Sequence, residues 1–292
     1  MNQAEYEVRG ARVKASRRDL LYVSLFLFLV TWGTVLWGEK IHAQEMRLIT
    51  SPWPPSNFLD EKGVPTGISV EVVEALKRKL EIATPVEVIP WARGYLIAKS
   101  EPNVLLFTAG RTQERLDMGF QFIGPVVMWT HSLMAKNGAM RQLKDLDAVR
   151  TQNLTVAGVR GSWQIRLLEK AGIQTVETES QQTGVKMLLA GRVDLWVTSR
   201  LQASAILQDL GLPADSVSSV YTVRQSPSYL MVSNGTNPQL AEAWRNAYEG
   251  LKQSDFFDKA AEKWSQELGI PLRFSPSDGF YADAPNKDTT AF

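Results

Sequence analysis

The chain contains no cysteine, and that one absence removes much chemistry. Disulfides, iron–sulfur clusters, thiol nucleophiles, covalently attached haem and cysteine-ligated zinc are all excluded. So is the lipid-modified cysteine that tethers many exported proteins to a membrane. Histidine is scarce as well, at two residues in 292. No excess of one charge exists, because 32 basic residues stand against 31 acidic ones. That balance leaves no electrostatic footprint for a nucleic acid partner. A phosphate-binding glycine-rich loop, a GxGxxG turn and a GxSxG nucleophile elbow are all missing. Mean hydropathy of −0.16 argues against a polytopic membrane protein. Nothing here implies a cofactor or a metal.

What is present is ordinary for a globular chain: 44% hydrophobic and 22% charged residues, with nine tryptophans. The length suits one large domain or two small ones. Residues 1–43 differ from the rest. Arg9, Arg12, Lys14, Arg17 and Arg18 precede an uncharged run over 20–38, and a short polar segment ends Ile41-His42-Ala43. That is the order of a secretory signal peptide, with cleavage expected after Ala43. An uncleaved anchor is the alternative, since the run approaches the roughly 20 residues that span a bilayer. Thr31, Gly33 and Thr34 dilute it and favour cleavage. Ser16-Arg17-Arg18-Asp19-Leu20-Leu21 resembles a twin-arginine export motif, whereas the strongly apolar run favours the general route. Either route exports the product, to the periplasm in a two-membrane envelope, as a soluble monomer.

Removing 1–43 takes away six basic and four acidic residues, leaving 26 against 27 and His131 as the remaining histidine. A Ser-His-Asp triad would have to use His131, and multi-histidine metal sites are excluded. Strand-like and helix-like stretches alternate in two series. The first has strands at 46–50, 85–90 and 104–108, with helices carrying Val70, Val73, Leu76 and Leu80 and then spanning 91–100. The second has strands at 154–159, 175–177 and 195–198, with helices at 162–171, 181–190 and 201–210. Such alternation predicts an α/β fold with parallel sheets. Two amphipathic helices follow over 238–268, and 270–292 reads as a loose tail. Extended stretches at 129–136 and 227–233 would cross between the two units. The expectation is two lobes, 46–134 with 230–268 and then 135–229, each a mainly parallel sheet flanked by helices. Two hinge strands would join them across a cleft. In open α/β sheets the strand-to-helix loops face such a cleft.

Three loops could carry chemistry there. Ser51-Pro52-Trp53-Pro54-Pro55 follows the first strand, and its prolines hold Trp53 in place to stack on a ligand or to pack as a lid on its own lobe. The run 108–115 offers the Thr108 hydroxyl, the Gly110 backbone N–H, Thr112 as a helix cap, and Arg111 and Arg115 four residues apart. A guanidinium aimed into a desolvated cleft grips a carboxylate with two parallel hydrogen bonds; on the surface it would pair with Glu114 or Asp117. Gly158-Val159-Arg160-Gly161-Ser162-Trp163 is a strand, a glycine turn and a helix start, where free N–H groups favour an anion. Any parallel α/β unit needs such a turn. Pro90-Trp91-Ala92-Arg93 could present Trp91 and Arg93 to the cleft, or supply packing and a solvated charge. In Gly191-Arg192-Val193-Asp194, Gly191 is a helix stop, and Asp194 reads as structural rather than as a catalytic acid.

Four segments together carry a family resemblance: Gly67-Ile68-Ser69-Val70-Glu71-Val72-Val73, Thr112-Gln113-Glu114-Arg115, Gly158-Val159-Arg160-Gly161-Ser162 and Leu188-Leu189-Ala190-Gly191-Arg192-Val193-Asp194. Each is weak alone, but their order and spacing over 46–268 resemble the periplasmic solute-binding proteins of family 3, which serve polar amino-acid ABC importers. The resemblance implies a type II two-lobed fold closing on a small solute, with an inner-membrane ABC permease as partner. It assigns the ligand carboxylate to Arg115, with Ser162 assisting. Typical amino-acid binders place an Asp for the ligand ammonium five residues beyond Asp194, where this chain has Ser199. An unpaired buried ammonium costs several kcal/mol, so a carboxylate ligand other than a standard amino acid is expected.

The leading expectation is therefore a non-catalytic binding protein for a small anionic or aromatic solute. A sensory role, with the closed form docking on a receptor, needs the same hinge closure. The remaining alternative is an enzyme like the cyclohexadienyl dehydratases, which share the architecture. A dehydratase needs a positioned acid and base, and these loops are poor in histidine and carboxylates.

Overall fold

The computed structural model describes residues 46–283. The expected signal peptide and its cleavage point lie outside the described residues, as do residues 284–292 of the tail.

In chain order the elements are β1 (Arg47–Thr50), β2 (Phe58–Leu59), β3 (Pro65–Thr66), α1 (Ile68–Leu80), β4 (Val86–Val88), α2 (Trp91–Ser100), β5 (Val104–Gly110), α3 (Gln113–Asp117) and β6 (Gln121–Lys136). There follow α4 (Leu146–Thr151), β7 (Thr155–Val159), α5 (Trp163–Lys170), β8 (Gln174–Thr178), α6 (Gln181–Leu189), β9 (Leu195–Ser199), α7 (Arg200–Asp209) and β10 (Val217–Val232). The described chain closes with α8 (Pro238–Lys252), α9 (Phe256–Leu268), β11 (Arg273–Ser275) and β12 (Gly279–Tyr281).

The α/β class follows from the alternation read in the sequence, and the main sheet is mixed. Its path runs β4-β1-β5-β10-β6-β9-β7-β8. β1 is parallel to β4 and β5, and β7 is parallel to β8 and β9. Between these two parallel groups lie the long strands β6 and β10, antiparallel to each other from Gln121 opposite Val232 to Lys136 opposite Val217. They also run antiparallel to their outer neighbours, β9 and β5.

Helices start where the sequence supplies caps. The side chains of Ser162, Ser180 and Ser199 accept from the backbone N–H groups of Ile165, Thr183 and Gln202, at the starts of α5, α6 and α7. Each satisfies an N–H that a helix start leaves bare, an effect of about 1 kcal/mol. Asp194 accepts from both the backbone N–H and the hydroxyl of Thr155 at 2.8 Å, which locks the start of β7. That is the structural role its position suggested.

Apolar residues gather on both flanks of the β6–β10 ladder. On one, Leu48, Val73, Leu76, Leu105, Trp244, Tyr248 and Trp264 form a core under α1, α8 and α9. On the other, Val156, Ile165, Leu168 and Leu195 form one cluster, and Val185, Leu188, Trp196 and Leu207 another. Helix α7 reaches across. Its Leu201 belongs to the first core, its Ser204 hydroxyl donates to the Leu268 carbonyl, and its Arg200 pairs with Asp283 at 3.7 Å.

The expectation of a loose tail is corrected over 270–283. Ile270 and Leu272 are buried, and β11 and β12 form an antiparallel hairpin whose Phe280 pairs with Val127 of β6. Phe257 stacks on Phe274 at 3.9 Å, and Phe280 packs against both. Gly279 makes the approach possible: with φ at +76°, a Cβ there would sit 2.4 Å from the Val126 carbonyl. Three-residue strands carry too little periodicity to be read from sequence. Because Phe280 has no exposed surface, Phe280→Ala should cost about 3–5 kcal/mol in denaturant unfolding. An unchanged midpoint would contradict this packing.

Candidate ligand site

A cavity of about 370 Å³ opens where β5, β6 and β10 meet the loops after β1 and β7 and the start of α2. Four tryptophans wall it: Trp53, Trp91, Trp129 and Trp163. Among the described residues its ionisable lining groups are Arg115 and His131, and no carboxylate lines it.

Local structure fixes each wall. The loop after β1 folds back on itself, with the Trp53 N–H donating to the Asn57 carbonyl at 2.6 Å. Asn57 in turn donates through Nδ2 to the Ser51 carbonyl and accepts at Oδ1 from the Thr108 hydroxyl. Thr108 is the extra residue of a β-bulge, because Ala109 faces Tyr229 and Phe107 faces Leu230. Its φ of +65° is costly for a β-branched residue, so the Asn57 bond holds a strained corner at the cavity edge. Trp53 remains 41% exposed and meets Trp129 edge-on at 6.1 Å. Trp129 is buried, with Nε1 donating to Ser228 Oγ at 3.2 Å, and that hydroxyl donates to the Val127 carbonyl. The indole of Trp129 is thereby locked to the central ladder.

Arg115 lies on α3, where Thr112 caps the helix by accepting from the Arg115 N–H. Its guanidinium sits 5.3 Å from the centre of the Trp91 ring and 5.2 Å from that of Tyr95, and it donates to the Gly110 carbonyl. Tyr95 itself stacks between Trp91 and Phe120. The aromatic shelf orients a planar cation without neutralising it. Among the described residues, no carboxylate pairs with Arg115.

His131 lies on β6, opposite Arg224 of β10 and Ser199 of β9. Its ring meets Trp163 edge-on at 5.0 Å, and the Arg224 guanidinium lies 5.4 Å from the centre of that indole. Burial, with the Arg224 charge second, pushes the imidazole down to about 4, so it is neutral near pH 7.

Of the residues singled out in the sequence, Trp53, Trp91, Thr108, Gly110, Arg115 and Trp163 meet at the cavity. Four do not line it. The hydroxyls of Ser162 and Ser199 are engaged as helix caps. Arg111 is exposed and precedes α3, so it shares no helical face with Arg115. Arg93 is exposed on the first turn of α2, within electrostatic reach of Glu87. Sequence reasoning missed Trp129, His131, Ser226, Pro227 and Ser228 as lining residues. They lie on the long strands β6 and β10: Trp129 and His131 alternate on β6, a signal the sequence offered, whereas 226–228 line the cavity in succession and no local pattern marks them. Among the described residues, no group of His, Asp or Glu could hold a metal ion.

A type II periplasmic-binding-protein fold with an aromatic, carboxylate-free cavity defines a solute-binding class. Residues 46–267 match the model of the bacterial extracellular solute-binding proteins, family 3, and the chain belongs to that family. A curated relative, the probable amino-acid-binding protein YxeM of Bacillus subtilis (strain 168), is 25% identical over 215 residues, covering 71% of this chain and 78% of YxeM. Among solved structures, an ancestral cationic amino acid solute-binding protein superposes with a TM-score of 0.62 at 19% identity, over 75% of this chain and 95% of that one. A histidine kinase sensor domain with similarity to periplasmic binding proteins gives 0.59 at 18% identity, over 75% and 96%.

The His131 environment predicts a pH effect. The folded state binds this proton less readily than the unfolded state, so the stabilisation is full above pH 6.5 and is lost as pH falls toward 4. The loss should be on the order of 3 kcal/mol. In urea titrations at pH 7 and pH 4.5, the stability gap between wild type and His131→Gln should shift by about that amount in the variant's favour. A gap that does not move with pH would contradict a buried neutral imidazole.

Proposed function

We propose that this chain captures a small carboxylate solute in the periplasm and delivers it, unchanged, to an inner-membrane ABC permease. In this reading the boundaries 46–134 with 230–268, and 135–229, are two lobes that close over the cavity by bending the β6–β10 ladder, and the chain acts as a monomer. Arg115 takes the carboxylate. Thr108 and the Gly110 backbone border it, and Trp53, Trp91 and Trp163 cover the apolar body.

One observation carries the reading: a guanidinium seated on Trp91 and Tyr95 at the cavity wall, with no carboxylate paired to it among the described residues. Desolvating such a cation is costly unless a ligand anion completes it. The name of YxeM supports a carboxylate-bearing solute. The cavity offers no acid to an ammonium, and Ser199 stands where that acid would be, so the ligand is an acid without an α-ammonium. The titratable lining residues among the described residues are Arg115 and His131, and no carboxylate stands beside them to complete the positioned acid and base that a dehydratase requires.

A thermal-shift screen of monocarboxylic acids, amino acids, sugars and polyamines tests this. A ligand at 100 times its dissociation constant adds about 2.7 kcal/mol, or roughly 5–10 °C for a chain of this size. Carboxylates should give the shift, and Arg115→Ala should weaken them roughly 10–100-fold. A sugar or polyamine hit that is indifferent to Arg115 would overturn the assignment.

A further inference from the structure

The cavity constrains more of the ligand than its carboxylate. Gln164, the second residue of α5, places its side-chain nitrogen 3.4 Å from Nδ1 of His131. In the tautomer that lets this amide nitrogen donate, Nδ1 accepts and the ring proton lies on Nε2. Nε2 has no protein partner among the described residues. It is also not among their sealed unpartnered atoms, which are Ser132 Oγ, Trp244 Nε1 and Asp283 Oδ2. A ring that is 5% exposed, lines the cavity and has Nδ1 engaged therefore opens Nε2–H to the cavity.

The ladder gives the spacing. Gly110, whose carbonyl holds the Arg115 guanidinium, faces Ser228 on β10, whereas His131 faces Arg224 four residues along the same strand. At about 3.3 Å per residue the two positions are roughly 13 Å apart along the sheet. Trp129, opposite Ser226, lies between them on the ladder and meets Trp53 edge-on. Ser228, also on that wall, has its hydroxyl engaged with Trp129 and Val127.

From this geometry we infer that His131 is a specificity-determining residue, donating through Nε2–H to a neutral acceptor oxygen at the end of the ligand away from its carboxylate. The inference rests on the carboxylate reading above. It narrows the class to acids with a flat apolar body and a distal hydroxyl or carbonyl oxygen. Both ends of the cavity donate, so the ligand supplies acceptors at both ends. An ammonium at the distal end is disfavoured, because the Arg224 charge lying over Trp163 repels it.

The test has two arms on the full chain. In protein labelled with 15N-histidine, with His131→Gln separating the His131 signals from those of His42, the free protein at pH 7 should show Nε2 protonated and Nδ1 bare. The opposite tautomer, or an imidazolium, overturns the inference. Calorimetric titration then compares two probes, 4-hydroxyphenylacetate and phenylacetate. Wild type should prefer the hydroxylated acid by about tenfold, the usual cost of stranding a buried donor. His131→Phe should erase the preference. Gln164→Leu, which releases Nδ1, should weaken the same preference and serves if the Phe variant does not fold. Equal binding of both probes, independent of His131, overturns the inference and leaves the carboxylate reading standing. Binding of neither overturns the carboxylate reading and the inference with it.

Discussion

The antiparallel ladder between β6 and β10 is the constraint on which the rest of the structure depends. Both parallel groups of strands attach to it, β1 and β4 through β5 on one side, β7 and β8 through β9 on the other. Trp129, His131, Ser226, Pro227 and Ser228 line the cavity from these two strands. Register shifts at Ser219/Tyr221, Thr222/Arg224 and Ser228/Leu230 interrupt it. Such irregularities raise local twist and re-aim side chains, which is how one sheet presents groups to a cavity on one side of its plane. The C-terminal hairpin adds a further brace at Val127, and α7 ties the two flanks through Leu201 and Arg200.

Around that frame the chemistry is one-sided. Arg115 supplies charge, and the shelf of Trp91 and Tyr95 supplies orientation. A charge-assisted pair formed there works in a lower effective dielectric than at the surface, so an incoming anion gains more from it. The surrounding indoles add apolar area and no competing acid. Strain at Thr108 fits the same logic, because a bulge at the cavity edge persists only when neighbours such as Asn57 over-determine it. Membership of the family-3 solute-binding proteins accounts for the scaffold, while these side chains set the chemistry.

Much of this was legible in the sequence where local signals are strong. Trp91–Ser100 emerged as a helix with the same bounds, and Ser162 and Thr112 were recognisable as caps because short hydroxyl side chains before apolar periodicity have one physical use. Arg115 stood out because its position after a strand and a capped turn aims a long cation inward. Other features depend on long-range pairing that no local pattern encodes. Nothing in Gln225-Ser226-Pro227-Ser228 announces an inward strand face, and the bulge that shifts Thr108 exists only against Tyr229 and Leu230. Ser162 and Ser199, expected beside the ligand, do not line the cavity and cap α5 and α7, a use that their places at helix starts make local. The hairpin over 273–281 was missed because its order comes from Phe257 and Val127, far away in sequence.

The account turns on charge recognition by Arg115, and a comparison that changes charge while conserving shape tests it most directly. Tryptophan fluorescence, reporting on the four indoles of the cavity, can follow titration with phenylacetate and with its carboxamide, phenylacetamide. The account predicts that the acid binds roughly 10–100-fold more tightly than the amide, since a charge-assisted hydrogen bond exceeds a neutral one by that order. Equal affinities for acid and amide would contradict it, because the cavity would then be selecting the ring and not the anion.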